Sequence, residues 1–551
     1  MRKSKIILIS ILLLAAFLRF WRLGEYPALN ADEAAIGYNA YSLIQTGEDE
    51  HGNPWPIHFQ SFNDYKPGLY FYLVLPFVKF LGLNEWAVRI PGAALGTLTV
   101  LAIYLLIKEL KIGNSLDFKN LKLGIEEIGA LMLAISPWHI HFSRGGWEVN
   151  VATFFITTGI WLFLKAINKN FSFNYLVLSI LFFVLSLYTY HAARIIVPLL
   201  VLGLILINRE DLRKNFKNYL IAGLVGLILL LPLFRDLAGP AGISRAAGVG
   251  LFADTGPLAR INEQRGEHAD FRSFTAKALH NKLTNYGLAF LENWSEHFWG
   301  EFLFLSGDDI QRNKVPETGV LYLFDLIFIL VGLYAIAKKP RGWGFVIVWL
   351  VVAPFGAALT FQSPHALRAH NMVIPITIIS AYGLVVILEF IRKKRKIVLV
   401  VGHWSLAIVV ALSFMRYAHM YWVHMAKEYP FSSQYGVKEL VTFVEEKEGN
   451  YRKVIVTDRY DQPYILFLFY LKYPPEQFHG EHVLTPRDRF GFSTVDNFEK
   501  YEFRNIDFDK VKPENPNSLI VGTDEDIPNE ANIIKIIYFP NGEVAFKVVA
   551  N

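Results

Sequence analysis

Two carboxylates stand side by side at Asp32 and Glu33, in the stretch LNADEAAIGYNAY that follows the first apolar run of the chain. Acids in that position can take a proton from a nucleophile, hold a cation, or simply be solvated. Further charged and imidazole side chains recur at the mouths of later apolar runs. They are Asp64 and Lys66; Arg89 in EWAVRIPG; Arg144 and Glu148 in HFSRGGWEVN; His191 and Arg194 in LYTYHAARIIVP; and His365, Arg368 and His370 in FQSPHALRAH. Arg19 closes the first run. Taken singly, each reads as a solvated acid or as a cation snorkelling to a lipid phosphate. Taken together, they make tight turns carrying both signs of charge, the pattern of a shared polar cavity at a membrane surface. None lies in the middle of a run, which argues against a file of ionisable groups conducting an ion.

Apolar runs must position these groups. The chain has 551 residues, 53% of them hydrophobic and 19% charged, and a mean hydropathy of +0.31. Runs long enough to cross a hydrocarbon core as helices recur over the first 415 positions, and only helices or closed barrels can cross, because lipid offers the backbone no hydrogen-bond partners. The reading is a polytopic α-helical membrane protein with about eleven transmembrane helices, at 6–20, 88–107, 126–142, 149–166, 174–189, 193–207, 218–235, 319–337, 343–361, 373–391 and 397–415. The basic start MRKSKIILIS has no small-residue cleavage site after it and reads as an uncleaved first helix. A twelfth run, 66–82, holds Pro67, Pro76 and two lysines. Basic residues arbitrate, because cytoplasmic loops collect them. With eleven spans the inner segments gather Arg2, Lys3 and Lys5, then Lys108, Lys111, Lys119 and Lys122, and later the run RKKRK at 392–396. The short outer loops keep only Arg144, Arg194 and Arg368. Counting 66–82 as a span destroys this asymmetry, so it is assigned to an interfacial helix.

Residues 1–415 are therefore expected to form the membrane domain, with a long first outer loop at 21–87 and a second at 236–318, Gly-rich at its start. Residues 416–551 are expected to form a small extracytoplasmic α/β domain. There VKELVTFVEEKEG reads as an amphipathic helix, while KVIVTD, SLIVGTD and NIIKIIYFPNGEVAFKVV read as strands, the last a hairpin over Asn541–Gly542. The net charge of +5 calls for no nucleic acid, and the lack of cysteine excludes disulfides and thiolate sites. GVGLFA at 248–253 follows no strand and is a poor dinucleotide signature, and His139 and His141, two apart, point to different helix faces. NWS at 293–295 fits a glycosylation acceptor.

The order of motifs resembles the GT-C class of membrane glycosyltransferases. It runs from a short first span and DE in a long outer loop to K-P-x-L, then RIPGAALGTLTVLAIYLL, then SPWHIHFSRGGWE. The branch it is similar to is the protein O-mannosyltransferase and aminoarabinose transferase group. The resemblance covers most of residues 1–400 and also includes LYTYHAARIIVPLLVL and the stretch EFLFLSGDD to VPETGVLYLFDLIFILVGL. It implies transfer of a sugar, with inversion, from a polyprenyl or dolichyl phosphate to a protein, lipid or glycan acceptor at the outer face of the plasma membrane. By motif position it implies Asp32 as the general base, supported by Glu33, with Glu148 as the acidic residue of the second outer loop where many relatives have Asp. Arg19, Lys66 and Arg144 are implied near the donor phosphate, and Arg368 is added from its outer loop; Gly68 replaces the second proline of K-P-P-L. Asp64, Arg89, His191, Arg194, His365 and His370 are expected to line the pocket. No cofactor is required, although Asp32, Glu33, Asp64 and Glu148 leave room for a divalent ion. Base and cations are expected on opposite sides of the anomeric carbon. Two other readings are a flippase for a lipid-linked sugar, which should show broken polar helices near the midplane, and an oligosaccharyltransferase-like enzyme using a pyrophosphate donor.

Overall fold

The computed structural model describes residues 2–551 except 63, 111, 113–115, 119–120, 169–170, 243–249, 395 and 488–492. Lys111 and Lys119 of the inner charge pattern, Arg395, and most of the Gly-rich start of the second outer loop fall outside the described residues. The chain divides into two compact units. One comprises Met1–Arg19, Ala94–Ser143 and Glu148–Tyr417; the other comprises Phe20–Ala93, Arg144–Trp147 and Ala418–Asn551.

The first unit is helical. Among the described residues, five helices of the chain are long and apolar enough to cross a membrane: Glu85–Leu110, Glu148–Ile167, Phe216–Leu237, His370–Arg392 and Val400–Glu428. Shorter apolar helices include Phe173–Thr189, Ala193–Ile207 and Gly344–Ala358. The run expected at 126–142 appears as two helices, Ile125–Ile135 and Pro137–Ser143. Ser136 is extended at the break, as the residue before a proline prefers. Glu148–Ile167 packs on Phe173–Thr189, and Leu323–Lys338 on Val373–Arg392. The second pair depends on glycine. A Cβ on Gly383 would run into the Phe328 carbonyl, and one on Gly332 into that of Ile379, so only bare backbone permits this approach. An apolar cavity of about 450 Å³ lies in this unit, lined by Leu14, Leu131, Met132, Phe328, Leu406 and Phe414 among others.

The second unit is built on a seven-stranded mixed sheet. Its spatial order is Ile533–Tyr538, Val544–Ala550, Ser518–Gly522, Lys453–Thr457, Tyr501–Arg504, Val495–Phe498 and Val483–Leu484. Lys453–Thr457 runs parallel to both neighbours, and its Val454, Ile455 and Val456 are buried, as the continuous apolar run requires of a strand covered on both faces. The hairpin turns at Gly542, whose φ of 92° suits glycine. The amphipathic helix is Val437–Lys447, with Val437, Leu440, Val441 and Val444 inward.

Helix Ala31–Thr46 packs against Leu69–Leu81 and Pro463–Leu471 in the same unit. Gly37 permits the last contact, since a Cβ there would run into the Phe469 ring. The 66–82 run splits: Asp64–Pro67 pairs antiparallel with His58–Ser61, and the helix proper is Leu69–Leu81. At about 1.5 Å per residue its 13 residues reach about 20 Å, short of the ~30 Å hydrocarbon core.

Candidate active site

Asp32 and Glu33 occupy the first turn of helix Ala31–Thr46. Asn30 caps that helix: its side-chain oxygen accepts the Glu33 amide at 3.0 Å, while Glu33 reaches back to the Asn30 amide at 3.2 Å. The cap fixes the two acids in different directions. Asp32, its side chain 28% exposed, meets the Lys66 ammonium, which donates to its Oδ1 at 2.5 Å. Lys66 is held in strand Asp64–Pro67 opposite Phe59, with its Nζ 4.4 Å from the centre of the Phe62 ring. Asp64, two residues earlier, is buried at the start of the same strand.

Glu33 is buried and fully engaged. The Arg89 guanidinium donates from Nε to its Oε1 at 2.6 Å and from Nη2 to its Oε2 at 2.7 Å, a two-pronged pair. The Gly146 amide adds a third bond to Oε1 at 2.9 Å. The remaining Arg89 protons go to the carbonyls of Leu23, Pro27 and Ala28. A buried charge persists only when paired and hydrogen-bonded, and this pair meets both conditions.

Arg144 lies in the same unit. It donates to the carbonyls of Trp21 at 2.7 Å and Tyr26 at 3.2 Å, and its guanidinium faces the Tyr421 and Trp422 rings. Its bonds tie the chain segments of that unit together, whereas the buried Lys66 ammonium meets Asp32 and the Phe62 ring.

In the helical unit, Arg19 turns inward. It donates to the carbonyls of Ala15, Leu133 and Ala134 and to His139 Nδ1 at 2.7 Å. His370 stands 5.6 Å from His139, ring to ring, and its Nδ1 is 3.2 Å from the Thr153 hydroxyl. Arg368 donates to the Thr360 hydroxyl at 2.7 Å and to the Gln362 side chain at 3.2 Å. His365 Nδ1 is 3.4 Å from Asp308, and its amide donates to His297 Nε2. Burial raises the Asp308 carboxyl above its usual range and lowers the His297 imidazole to about 4. Arg194 and His191 pair with each other at 3.2 Å. Glu148 opens helix Glu148–Ile167, half-buried. The structure thus brings together Asp32 with Lys66, and Glu33 with Arg89; His365, Arg368 and His370 neighbour one another along one loop.

The expected separation of base and cation is not what the Asp32–Lys66 pair displays, because the two groups are in direct contact. The sequence also hides the burial of Asp49 and Glu50, which GEDEHGN suggests is a wet loop. Asn293 of NWS donates to the carbonyls of Thr360 at 2.9 Å and Ala358 at 3.3 Å, so its amide is engaged in the fold. Among the described residues no three histidine or acidic side chains converge as a metal site.

Residues 65–234 match the sequence profile of the dolichyl-phosphate-mannose-protein mannosyltransferase family. The matched stretch takes in Lys66, Arg89, Arg144 and Glu148 and begins after the Asp32–Glu33 pair. The fold is similar to that of ArnT from Cupriavidus metallidurans bound to undecaprenyl phosphate, at 11% identity and a TM-score of 0.54, over 99% of this chain and 98% of that one. Against the apo state of that protein the TM-score is 0.52, at 11% identity over 99% and 97% of the two chains. The Archaeoglobus fulgidus oligosaccharyltransferase tethered with an acceptor peptide gives 14% identity and a TM-score of 0.50, over 84% of this chain. This chain spans only 62% of that enzyme's length. No curated protein sequence matches the chain. The resemblance to GT-C glycosyltransferases drawn from the motifs is borne out, and with it a fold of several apolar helices with a C-terminal sheet domain, in which five helices among the described residues, against the eleven spans expected, are long and apolar enough to cross a membrane.

Proposed function

We propose that the chain is an inverting glycosyltransferase that moves a sugar from a polyprenyl- or dolichyl-phosphate carrier to a hydroxyl of a protein, lipid or glycan acceptor, at the outer face of the plasma membrane. The observation that carries this reading is the Asp32–Lys66 pair: a partly exposed carboxylate at a capped helix start, in contact with a largely buried lysine ammonium. The acceptor oxygen attacks the anomeric carbon, Asp32 takes the hydroxyl proton, and the carrier leaves as a phosphate with inversion at carbon. A positioned carboxylate base is worth about 10²–10⁴ in rate. The phosphate gains negative charge as the bond breaks, and a fixed or recruited cation stabilises it.

Contact between Lys66 and Asp32 fits this scheme if the ammonium changes partners. Lys66 is largely buried beside Asp32, and the donor, a phosphodiester, carries one negative charge like a carboxylate and gains its second only as the anomeric bond breaks. The charge that develops on the leaving phosphate then draws Lys66 toward it as Asp32 takes the acceptor proton. Glu33, Arg89, Arg144 and Arg19 enter the reading as braces, since Glu33 holds the Arg89 guanidinium and Arg144 and Arg19 donate to main-chain carbonyls.

Lys66→Ala tests the assignment. Loss of one charge-assisted hydrogen bond of about 1.5–3 kcal/mol should raise the donor KM about ten- to a hundredfold. The measurement is initial-rate kinetics with a polyprenyl-phosphate sugar at fixed acceptor. A donor KM equal to that of the wild type removes Lys66 from the phosphate.

A further inference from the structure

Helix Val400–Glu428 changes its winding near its end. Met420–His424 is a π turn, in which the Met425 amide donates to the Met420 carbonyl five residues back. That turn brings two histidines together. On an α-helix, residues five apart stand roughly 140° apart around the axis, at about 100° per residue. The wider π turn stacks them instead. His419 and His424 bring their Nε2 atoms within 3.1 Å, with ring centres 4.8 Å apart.

Glu428, one turn further on, sets the tautomer. Its carboxylate lies 3.2 Å from His424 Nδ1, so Nδ1 carries the proton and Nε2 keeps its lone pair. The exposed His419 ring aims its own Nε2 at that lone pair. With the His419 proton on Nε2 the two rings share a hydrogen bond. With it on Nδ1, two lone pairs converge. Two nitrogens held at about 2.0–2.1 Å from a tetrahedral ion stand about 3.3–3.4 Å apart, so the rings need part by only about 0.2–0.3 Å. Entry is open, since the His424 and Glu428 side chains are 38% and 41% exposed.

We propose that His419 and His424 form a two-imidazole site for a borderline divalent cation, zinc above all, with Glu428 orienting His424 from behind. Imidazole nitrogens suit zinc, copper and nickel, whereas magnesium and calcium take oxygens. Water fills the remaining positions. The helix ends at Glu428, and the unpaired carbonyls of its last turn favour a cation. All three side chains lie in the second unit, and none belongs to the Asp32–Lys66 pair, so the site stands whether or not the chain transfers a sugar. A bound cation locks the π turn that carries Tyr421. The Tyr421 hydroxyl accepts from Arg144 Nε at 3.2 Å, and its carbonyl accepts from the Tyr26 hydroxyl. Another imidazole pair, His268 and His280, also approaches to 3.1 Å, but the group that orients His280 is the neutral Gln264 side chain.

The test must therefore resolve single histidines. Full-length protein stripped of metal by a chelator is modified with diethyl pyrocarbonate, and labelling of each histidine is read by mass spectrometry. Zinc should slow labelling of His419 and His424 several-fold, and magnesium should not. The zinc concentration that half-protects His424 should rise about ten- to a hundredfold in Glu428→Ala, and protection of His424 should vanish in His419→Ala. Equal labelling of the wild-type pair with and without zinc overturns the site. So does equal protection by magnesium, or protection of His424 that persists unchanged in His419→Ala.

Discussion

Asp32→Asn should abolish transfer, by about 10²–10⁴ in kcat, while leaving the protein folded. Asparagine has the size and shape of aspartate and keeps an oxygen for Lys66, but it cannot accept the acceptor's proton. The structural cost is small. Asp32 is partly exposed, and the asparagine oxygen still accepts a hydrogen bond from the buried Lys66 ammonium, so most of the contact survives. Loss of a negative charge near the helix start adds about 0.3–1 kcal/mol. Thermal unfolding of the purified variant should therefore follow the wild type within a few degrees. Wild-type turnover by Asp32→Asn would remove Asp32 as the base.

Arg89→Ala should do the reverse: unfold the protein without bearing on the chemistry directly. Removing the guanidinium leaves the Glu33 carboxylate buried and without its main partner, and strips the Leu23, Pro27 and Ala28 carbonyls of their donor. Breaking a buried pair from one side costs about 3–5 kcal/mol. At about 2–4 °C per kcal/mol for large domains, Tm should fall by about ten degrees. Glu33→Ala alone should cost a similar amount, and the double variant clearly less than the two together, because the second substitution removes a charge the first had stranded. An Arg89→Ala protein that melts with the wild type would contradict the clamp. The neighbouring acids Asp32 and Glu33 thus separate by phenotype, one losing rate and the other losing fold.

Much of this architecture was legible in the sequence for reasons of period and length. The apolar runs announced the long apolar helices such as Glu148–Ile167, and the alternation in NIIKIIYFPNGEVAFKVV announced the hairpin at Ile533–Tyr538 and Val544–Ala550. Helix Ala31–Thr46 was harder to see, because its small and polar residues carry little apolar rhythm; its signal is the pair Asn30 and Glu33, spaced as a capping box. Strands Val495–Phe498 and Tyr501–Arg504 are four residues each, too short for a periodic pattern to stand out. Motif order singled out Asp32 and Lys66, and the structure puts them in contact. What no local pattern reveals is where an arginine spends its five donors. Arg19 and Arg144, at the ends of apolar runs, look ready for a phosphate in the sequence, and in the fold they satisfy main-chain carbonyls. Glu50 was missed for a related reason: an acid in GEDEHGN looks solvated until the Tyr464 and Tyr38 side chains are seen around it.

The most direct test of the central reading is release of carrier phosphate. Purified wild-type protein in lipid bilayers is incubated with a panel of radiolabelled polyprenyl-phosphate sugars, with and without candidate acceptors, and the free polyprenyl phosphate and the anomeric configuration of the product are measured. Release from at least one monophosphate donor, with inversion and dependent on Asp32, is the predicted result. Turnover of a pyrophosphate-linked donor alone, or no release from any sugar by a folded protein, would contradict it.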